Sequence, residues 1–263
     1  MNYPQRIVCL AAEAPEIIHT LGAFDRVVGV SSFARRLAAV RGLPKVGGFS
    51  DPNVAKILEL EPDLVITTSD IQSDAAAQLI RLGIPVLALN PHRLAHIWSN
   101  ILMVGGVLGR QKEAAALVEQ LQGELDALRA QVWRDRDAPR VYFEEWPDPM
   151  ISGIGWVSDL IEWLGGTDIF SELAAQRLAR QRFVTSEMVL ARQPEVIIAS
   201  WCGKRADLDR IRTRPGWDQL PAVQRGAVYE IPSDAILQTG PGILDGARQL
   251  AELICAQRTE EAR

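Results

Sequence analysis

The chain has 263 residues, of which 48% are hydrophobic and 23% are charged, and its formal net charge at pH 7 is -5. This length and apolar content suit one large domain or two modest ones, each with a core of its own. The sequence contains no long basic run, which excludes a surface that tracks nucleic-acid phosphates. No apolar stretch reaches the roughly 20 residues that cross a bilayer, so we also expect no insertion into a membrane.

The first half of the chain alternates short apolar runs with helical patterns. Residues 6–10 predict an opening strand, and a helix follows from near Pro15 to Leu21. Residues 57–67 predict a helix end, a proline and then a buried strand, and residues 83–89 predict another strand. This alternation favours a mainly parallel sheet with helical crossovers.

The middle of the chain predicts one long amphipathic helix. Its apolar positions fall on a single stripe: Ala114, Leu117, Val118, Leu121, Leu125, Leu128 and Val132. The segment is rich in Ala and Leu, so it should act as a stiff spacer rather than a flexible hinge. We therefore predict an N-terminal α/β lobe at residues 1–109, a connecting helix at 110–136 and a C-terminal α/β lobe at 137–263.

The second half repeats the plan of the first. Residues 140–143 predict an opening strand, and a helix begins near Trp156. Residues 189–199 match 57–67, because each segment contains a helix end, a proline, an acid and a buried strand. A glycine leads the last predicted strand, at residues 226–231. Two α/β lobes on a rigid helix are expected to leave a ligand cleft between them, faced by strand-to-helix loops of both lobes.

Four stretches of the sequence carry a resemblance to a known family. They are RIVCL at residues 6–10, GVSS at 29–32, LEPDLVI at 60–66 and WLGGTDIF at 163–170. In this order and spacing, which cover nearly the whole chain, they resemble the substrate-binding proteins of ABC importers that have a single-helix backbone. This group handles cobalamin, haem and ferric siderophores. Residues 29–33 and 46–50 are most similar to segments that supply aromatic walls to the corrinoid pocket of the cobalamin-binding members.

The resemblance implies two Rossmann-like lobes, little hinge motion and a small-molecule ligand held mainly by shape. It also implies an ABC permease–ATPase complex as partner, and we expect a monomer. In that family an acid on each lobe docks on the permease. The first position aligns here with Ala55, which Lys56 follows, and Asp218 matches the second.

The start of the chain bears on its location. Residues 1–6 lack the basic and apolar regions of a secretory signal. If Met1 is the native start, the cytoplasm is the simpler location. Otherwise the resemblance implies the periplasm or the outer face of the cell.

A corrinoid is a broad, mostly apolar macrocycle fringed with amides, so its site needs flat aromatic surfaces and a few donors and acceptors. The aromatic residues at predicted loop-like positions are Phe33, Phe49, Trp146, Trp156, Phe183 and Trp201. Core packing is the simpler interpretation for each one alone, whereas the set favours a ligand site. Trp98, Trp133 and Trp163 lie within helical patterns and are assigned to packing.

Polar candidates accompany these aromatic residues. Residues 144–148 contain two Glu and one Asp and are predicted to form an acidic loop after the strand at 140–143. Glu145 is the candidate for hydrogen bonds to ligand amides, and a solvated loop is the alternative. Glu13 lies in the corresponding loop of the first lobe, while Asp234 and Gln238 follow the last strand.

The leading hypothesis is non-catalytic binding of cobalamin or a related corrinoid, as the substrate-binding component of an ABC-type importer. No intrinsic cofactor or metal is expected. Within the same class, a ferric siderophore would require an arginine cluster and haem a Tyr or His ligand. A siderophore and haem both stay alternatives, because the chain contains Arg182, Lys204, Arg205 and His92.

Two further hypotheses come from outside that class. A cytoplasmic corrinoid carrier or sensor is motivated by Ala55 and by the missing signal. A metal- or nucleotide-dependent enzyme would use Glu144, Glu145, Cys202 and the glycine turn at 152–156. Cys9, Cys202 and Cys255 are too few and too scattered for a disulfide framework or a C-x-x-C metal site, which predicts buried, reduced thiols.

Overall fold

The computed structural model describes residues 3–132 and 138–260, and it describes side chains as far as residue 256. Its described residues divide into two compact units. Unit 1 comprises Met1–Pro91, Ala95–Leu121 and Gln238–Pro241, and unit 2 comprises His92–Leu94, Gln122–Leu237 and Gly242–Arg263. No helix of the described residues combines the length and the apolar character that a membrane span requires.

Unit 1 contains a four-stranded, fully parallel sheet in the order β2-β1-β3-β4. Its strands are β1 (Ile7–Cys9), β2 (Val27–Val30), β3 (Leu64–Thr68) and β4 (Val86–Leu89). The first helices in the chain are α1 (Ala14–Thr20), α2 (Val54–Glu59), α3 (Ser73–Arg81), α4 (Leu94–Leu108) and α5 (Gln111–Val132). Apolar side chains on β1 and β3 pack against helices α2 and α3, which gives this sheet a buried face.

Unit 2 contains a second, mainly parallel sheet in the order β6-β5-β8-β9, and β7 also pairs with β5. Its strands are β5 (Arg140–Pro147), β6 (Met150–Ser152), β7 (Thr167–Asp168), β8 (Val196–Ala199) and β9 (Val228–Glu230). The remaining helices are α6 (Gly155–Trp163), α7 (Ser186–Arg192), α8 (Leu208–Arg212), α9 (Pro221–Gln224), α10 (Ser233–Ile236) and α11 (Ile243–Glu260). Short 3-10 turns lie at Phe24–Arg26, Ala38–Gly42, Asp70–Gln72, Ser171–Leu173, Ala179–Arg182 and Trp217–Gln219.

These two sheets confirm the predicted α/β class with mainly parallel sheets. Helix α5 supplies the long helix, and its observed residues carry the predicted apolar stripe. Residues 133–136 of the predicted connecting helix, with Trp133, lie outside the described residues. The lobe boundaries themselves stay a prediction.

The repeated proline-acid motif has the same structural role in both halves. In unit 1 the Asp63 carboxylate accepts the backbone N–H of Arg6 at 2.9 Å. In unit 2 the Glu195 carboxylate accepts the backbone N–H of Arg140 at 2.9 Å. Each acid thus satisfies a donor at the start of the opening strand and fixes the register of its neighbour. This explains why both halves carry an acid directly before the buried strand.

The prediction that β5 ends at residue 143 is wrong, because the strand continues to Pro147. Its second half pairs antiparallel with β6, so that Glu144 lies opposite Ser152 and Pro147 opposite Met150. Two adjacent acids indicated a loop, but the strand accommodates them where its pairing with β6 is irregular, between Glu144 and Trp146, and each acid has its own arginine partner.

Candidate ligand-binding surfaces

Open parallel sheets bind ligands outside the carboxyl ends of their strands, where the strand-to-helix loops gather. In unit 1 two predicted aromatic residues meet in this region. The rings of Phe33 and Phe49 contact edge to face, with centroids 6.4 Å apart. Both side chains are partly exposed. The guanidinium of Arg35 lies 5.5 Å from the centre of the Phe33 ring. Unit 1 therefore presents a small aromatic surface that carries a cation.

Gln238 also belongs to this surface of unit 1. Its side-chain amide donates to the backbone oxygen of Phe33 at 3.3 Å. The neighbouring Thr239 hydroxyl donates to the Glu13 carboxyl at 3.1 Å. Two predicted polar residues, Glu13 and Gln238, are therefore brought beside the predicted Phe33 by the segment Gln238–Pro241.

Glu13 is almost fully buried, at 5% exposure. Burial raises the pKa of its carboxyl above the ordinary value, although hydrogen bonds to Thr239 and Thr68 oppose this shift. The carboxyl is thus held in place by hydroxyl groups, and its oxygens act as acceptors there.

Sequence reasoning missed Gln72, which organises the same surface. Its amide nitrogen donates to the backbone oxygens of Phe49 at 3.0 Å and Leu10 at 3.3 Å. Its amide oxygen accepts the backbone N–H of Thr68 at 2.9 Å. One buried side chain thus ties the ends of β1 and β3 to the Phe49 loop. Nothing in the polar segment around Gln72 distinguishes it from a solvated residue.

Unit 2 brings together the predicted Trp146 and Trp201 at the ends of β5 and β8. The ammonium of Lys204 lies 4.0 Å from the centre of the Trp146 ring and 5.1 Å from the centre of the Trp201 ring. Trp146 is partly exposed, whereas Trp201 is 3% exposed. We call Trp146, Trp201 and Lys204 the tryptophan platform.

Glu144 lies beneath this platform and is not part of a solvated loop. It is completely buried, and its carboxylate accepts both terminal nitrogens of Arg214, at 2.5 and 2.9 Å. The Trp201 indole donates to it at 3.0 Å and the Tyr142 hydroxyl at 3.2 Å. Burial, followed by the Glu144 charge, raises the pKa of Tyr142 well above its ordinary value. Sequence reasoning missed Arg214, which neutralises this acid.

Glu145 is paired as well, with a different arginine. Arg182 donates to both of its carboxylate oxygens, at 2.6 and 3.2 Å, and also to the backbone oxygen of Ser152. Arg182 is 1% exposed, while the next residue, Phe183, is 46% exposed. The solvated-loop interpretation of Glu145 is therefore wrong, whereas its role towards a ligand stays a prediction.

The other predicted site residues of unit 2 lie deeper or elsewhere. Trp156 is 7% exposed, and its indole donates to the backbone oxygen of Ile236 at 3.0 Å. Asp234 is half-buried in the first turn of α10. Asp218 is exposed in the turn Trp217–Gln219, and Ala55 is exposed on α2.

The thiols and the residues assigned to packing are placed as follows. Cys9 is buried, but Cys202 is exposed, so the prediction of buried thiols is wrong for Cys202. Trp163, assigned to packing, is 37% exposed beneath the Arg129 guanidinium at 4.6 Å. Both ring nitrogens of His92 are buried. The described residues contain no group of three or more His, Cys, Asp or Glu that could hold a metal ion.

Comparisons with known proteins agree with this architecture. Residues 7–235 match the sequence profile of the periplasmic binding protein family. YvrC of Bacillus subtilis, an uncharacterized ABC transporter substrate-binding lipoprotein, is 30% identical over 257 residues, which cover 95% of this chain and 80% of YvrC.

Two solved structures are similar over almost their whole length. The periplasmic vitamin B12-binding protein BtuF of Vibrio cholerae is 25% identical with a TM-score of 0.78, over 97% of this chain and 98% of BtuF. The periplasmic heme-binding protein RhuT from Roseiflexus sp. RS-1, in apo form, is 24% identical with a TM-score of 0.83, over 96% of this chain and 98% of RhuT. The similarity to RhuT supports the assignment of the fold only. The chain therefore belongs to the periplasmic binding protein family and is a non-catalytic substrate-binding protein.

Proposed function

We propose that this protein binds cobalamin or a related corrinoid as the substrate-binding component of an ABC importer. The observation that carries the proposal is the pair of aromatic surfaces at the carboxyl ends of the two sheets. One is the Phe33–Phe49 pair of unit 1, and the other is the tryptophan platform of unit 2. Flat rings with few polar groups suit a broad apolar macrocycle.

The polar groups beside the aromatic surfaces fit a ligand fringed with amides. Gln238 is partly exposed and keeps the oxygen of its amide for a ligand donor. Glu13 lies in the same region, where its carboxyl accepts the Thr239 hydroxyl and can offer a further acceptor to a ligand amide. The similarity to BtuF at 25% identity supports this choice of ligand.

The rival ligands receive less support from the described residues. Arg182 is engaged by Glu145 and by the backbone oxygen of Ser152, so it does not contribute to an arginine cluster for a siderophore. Tyr142 is completely buried and donates to Glu144, which places it out of reach of haem iron. The buried ring nitrogens of His92 would have to move before either could bind iron.

We further propose an extracytoplasmic location and a monomer that docks on a permease–ATPase complex. The lipoprotein YvrC favours this location over the cytoplasmic carrier or sensor. On the docking face of unit 2, the exposed Asp218 is the proposed acid. Ala55 supplies no charge at the corresponding position of unit 1, so we propose docking with a single acid.

A titration with cyanocobalamin tests the proposed ligand. Tryptophan fluorescence and corrinoid absorbance would be followed, with haem and a ferric siderophore titrated in parallel. We expect saturable binding with a Kd of about 1 μM or below, which corresponds to about -8 kcal/mol or better. Phe33→Ala and Trp146→Ala should each weaken binding about tenfold or more, because each removes a flat contact surface.

Trp163→Phe is the matched control. It removes a tryptophan that lies on α6 under Arg129, so it should leave the affinity unchanged while it accounts for changes in background fluorescence. Binding of haem or of the siderophore in preference to cyanocobalamin would contradict the proposal. So would corrinoid binding that neither Phe33→Ala nor Trp146→Ala affects.

A further inference from the structure

The tryptophan platform carries a cation that has no acidic partner among the described residues. The ammonium of Lys204 contacts the faces of Trp146 and Trp201, and no salt bridge joins it to a described carboxylate. The two nearby acids on β5 are each neutralised by an arginine, Glu144 by Arg214 and Glu145 by Arg182. One positive charge on this surface is therefore left over.

The turn after β8 is built to place Lys204 over the two rings. The Lys204 backbone N–H donates to the Trp201 oxygen at 3.2 Å, which closes the turn. Gly203 has a φ of 75°, a conformation that residues with a side chain rarely adopt. Its N–H donates to the Ser233 hydroxyl at 3.1 Å, which anchors the turn to the start of α10. The position of the lysine is thus set by the backbone.

The Trp146 ring is partly exposed, whereas Trp201 is buried beneath the lysine. A cation on an exposed aromatic face is held weakly, and the Trp146 face is the one that a flat ligand would cover. An arriving ring system must therefore displace the ammonium. Because Lys204 is exposed and long, it can move to the rim of the platform at little cost. At the rim the ammonium is free of the rings and can pair with a negatively charged group of the ligand.

We propose that Lys204 is a specificity-determining residue, which leaves the tryptophan platform when a ligand stacks on the exposed Trp146 ring and pairs with an anionic oxygen group of that ligand. The inference rests on the proposed function. The anionic group is a phosphodiester or a carboxylate, since both present oxygens that an ammonium binds. The neutral amides of a corrinoid would gain much less from Lys204.

Pairs of ligands that differ in their anionic group test this role. Cyanocobalamin carries a nucleotide loop, whose phosphodiester is its anionic group, and dicyanocobinamide lacks the whole loop. Haem carries two carboxylates that are esterified in haem dimethyl ester. The proteins are the wild type, Lys204→Met, which removes the charge and keeps much of the length, and Lys204→Arg, which keeps the charge. The comparison of Lys204→Met with Lys204→Arg separates the charge from the rest of the nucleotide loop. Arg205→Met is the matched control, because its 95% exposed side chain lies beside Glu230 at 3.8 Å.

We expect Lys204→Met to weaken binding of the anionic member of the bound pair about tenfold, the size of one lost charged hydrogen bond. Binding of the neutral member should stay within about twofold of the wild type or become tighter, because the rings are no longer covered. Lys204→Arg should keep the preference, and Arg205→Met should change neither affinity. Loss of the preference with cobalamin identifies the phosphodiester, and loss with haem identifies the carboxylates.

The inference and the proposed function fail in different ways. If the wild type binds either pair but Lys204→Met weakens both members equally, or behaves like Arg205→Met, the inference is wrong and the proposed ligand class is untouched. Wild-type protein that binds haem but not corrinoid contradicts the proposed function while the haem pair still decides the role of Lys204. Wild-type protein that binds none of the four compounds refutes both.

Discussion

Arg214→Met should destabilise unit 2 strongly, because it leaves the completely buried Glu144 carboxylate without its counter-charge. In the variant this carboxylate keeps only the neutral donors of Trp201 and Tyr142. Breaking a buried ion pair by removing one partner costs about 3–5 kcal/mol. Arg214 also lies 4.6 Å from the centre of the Trp217 ring, and methionine replaces much of that contact. We therefore expect the free energy of unfolding to fall by about 3–5 kcal/mol.

The double variant Glu144→Gln with Arg214→Met separates a charge effect from a packing effect. Glutamine is uncharged and can still accept from the Trp201 indole, so the double variant should regain more than half of the stability that Arg214→Met loses. Arg248→Met is the surface control, since the side chain of Arg248 is 46% exposed in its pair with Glu124 and should contribute less than about 1 kcal/mol.

Urea denaturation followed by far-UV circular dichroism and by tryptophan fluorescence measures these differences. The two signals must be compared, because a chain with two compact units need not unfold in one step. A decrease of less than about 1 kcal/mol in the free energy of unfolding of Arg214→Met would refute the argument, since an unpaired buried carboxylate should cost more than that. A double variant as unstable as the single one would show that packing, not charge, decides.

Three further changes test other parts of the molecule. The pKa of Glu13 is raised by burial, so the folded state retains a proton at pH values where the unfolded state has lost it. The contribution of Glu13 to the free energy of unfolding should therefore fall as the pH rises above about 4.5. Urea titrations across pH should show this loss for the wild type and not for Glu13→Gln. Gly155→Ala should destabilise by about 1–3 kcal/mol in thermal denaturation, because its Cβ would lie 2.2 Å from the His92 oxygen and 2.5 Å from the Ala174 oxygen. Gly123→Ala should stabilise by about 0.5–1 kcal/mol in the same assay, because Gly123 lies within α5 and its Cβ would meet nothing within 4 Å. The first argument is contradicted if the stability difference between Glu13→Gln and the wild type does not change with pH. The other two are contradicted if Gly155→Ala leaves the free energy of unfolding unchanged or if Gly123→Ala lowers it.

The sequence predicted the elements whose signal lies within a short stretch of the chain. Apolar runs bounded by proline and glycine located β1, β3, β8 and β9, and the acid after each proline turned out to bond to the start of the opening strand. The sequence did not predict β6 and β7, because strands of three and two residues are too short to show the alternation of apolar and polar residues that marks a strand. Their existence depends on β5, to which both pair.

The candidate site was predictable only in part, because its supporting contacts join distant positions. Arg214 lies 70 residues from Glu144, and Gln72 lies 62 residues from Leu10. No local pattern signals such pairs. Aromatic residues at strand ends could be selected by type and place, whereas the side chains that hold them could not.

The two adjacent glutamates of β5 show how these long-range contacts change the chemistry of the surface. From sequence alone, residues 144–148 indicate an acidic loop in which Glu145 either bonds to ligand amides or is solvated. In the structure the pairing of β5 with β6 is irregular between Glu144 and Trp146, and the two acids pair with different arginines. With both acids neutralised, the charge that remains on the tryptophan platform is that of Lys204. A segment that looks acidic therefore lies beside a surface with a positive charge, which is why we propose that Lys204, more than fifty positions away, gives this surface a preference for flat ligands with an anionic group.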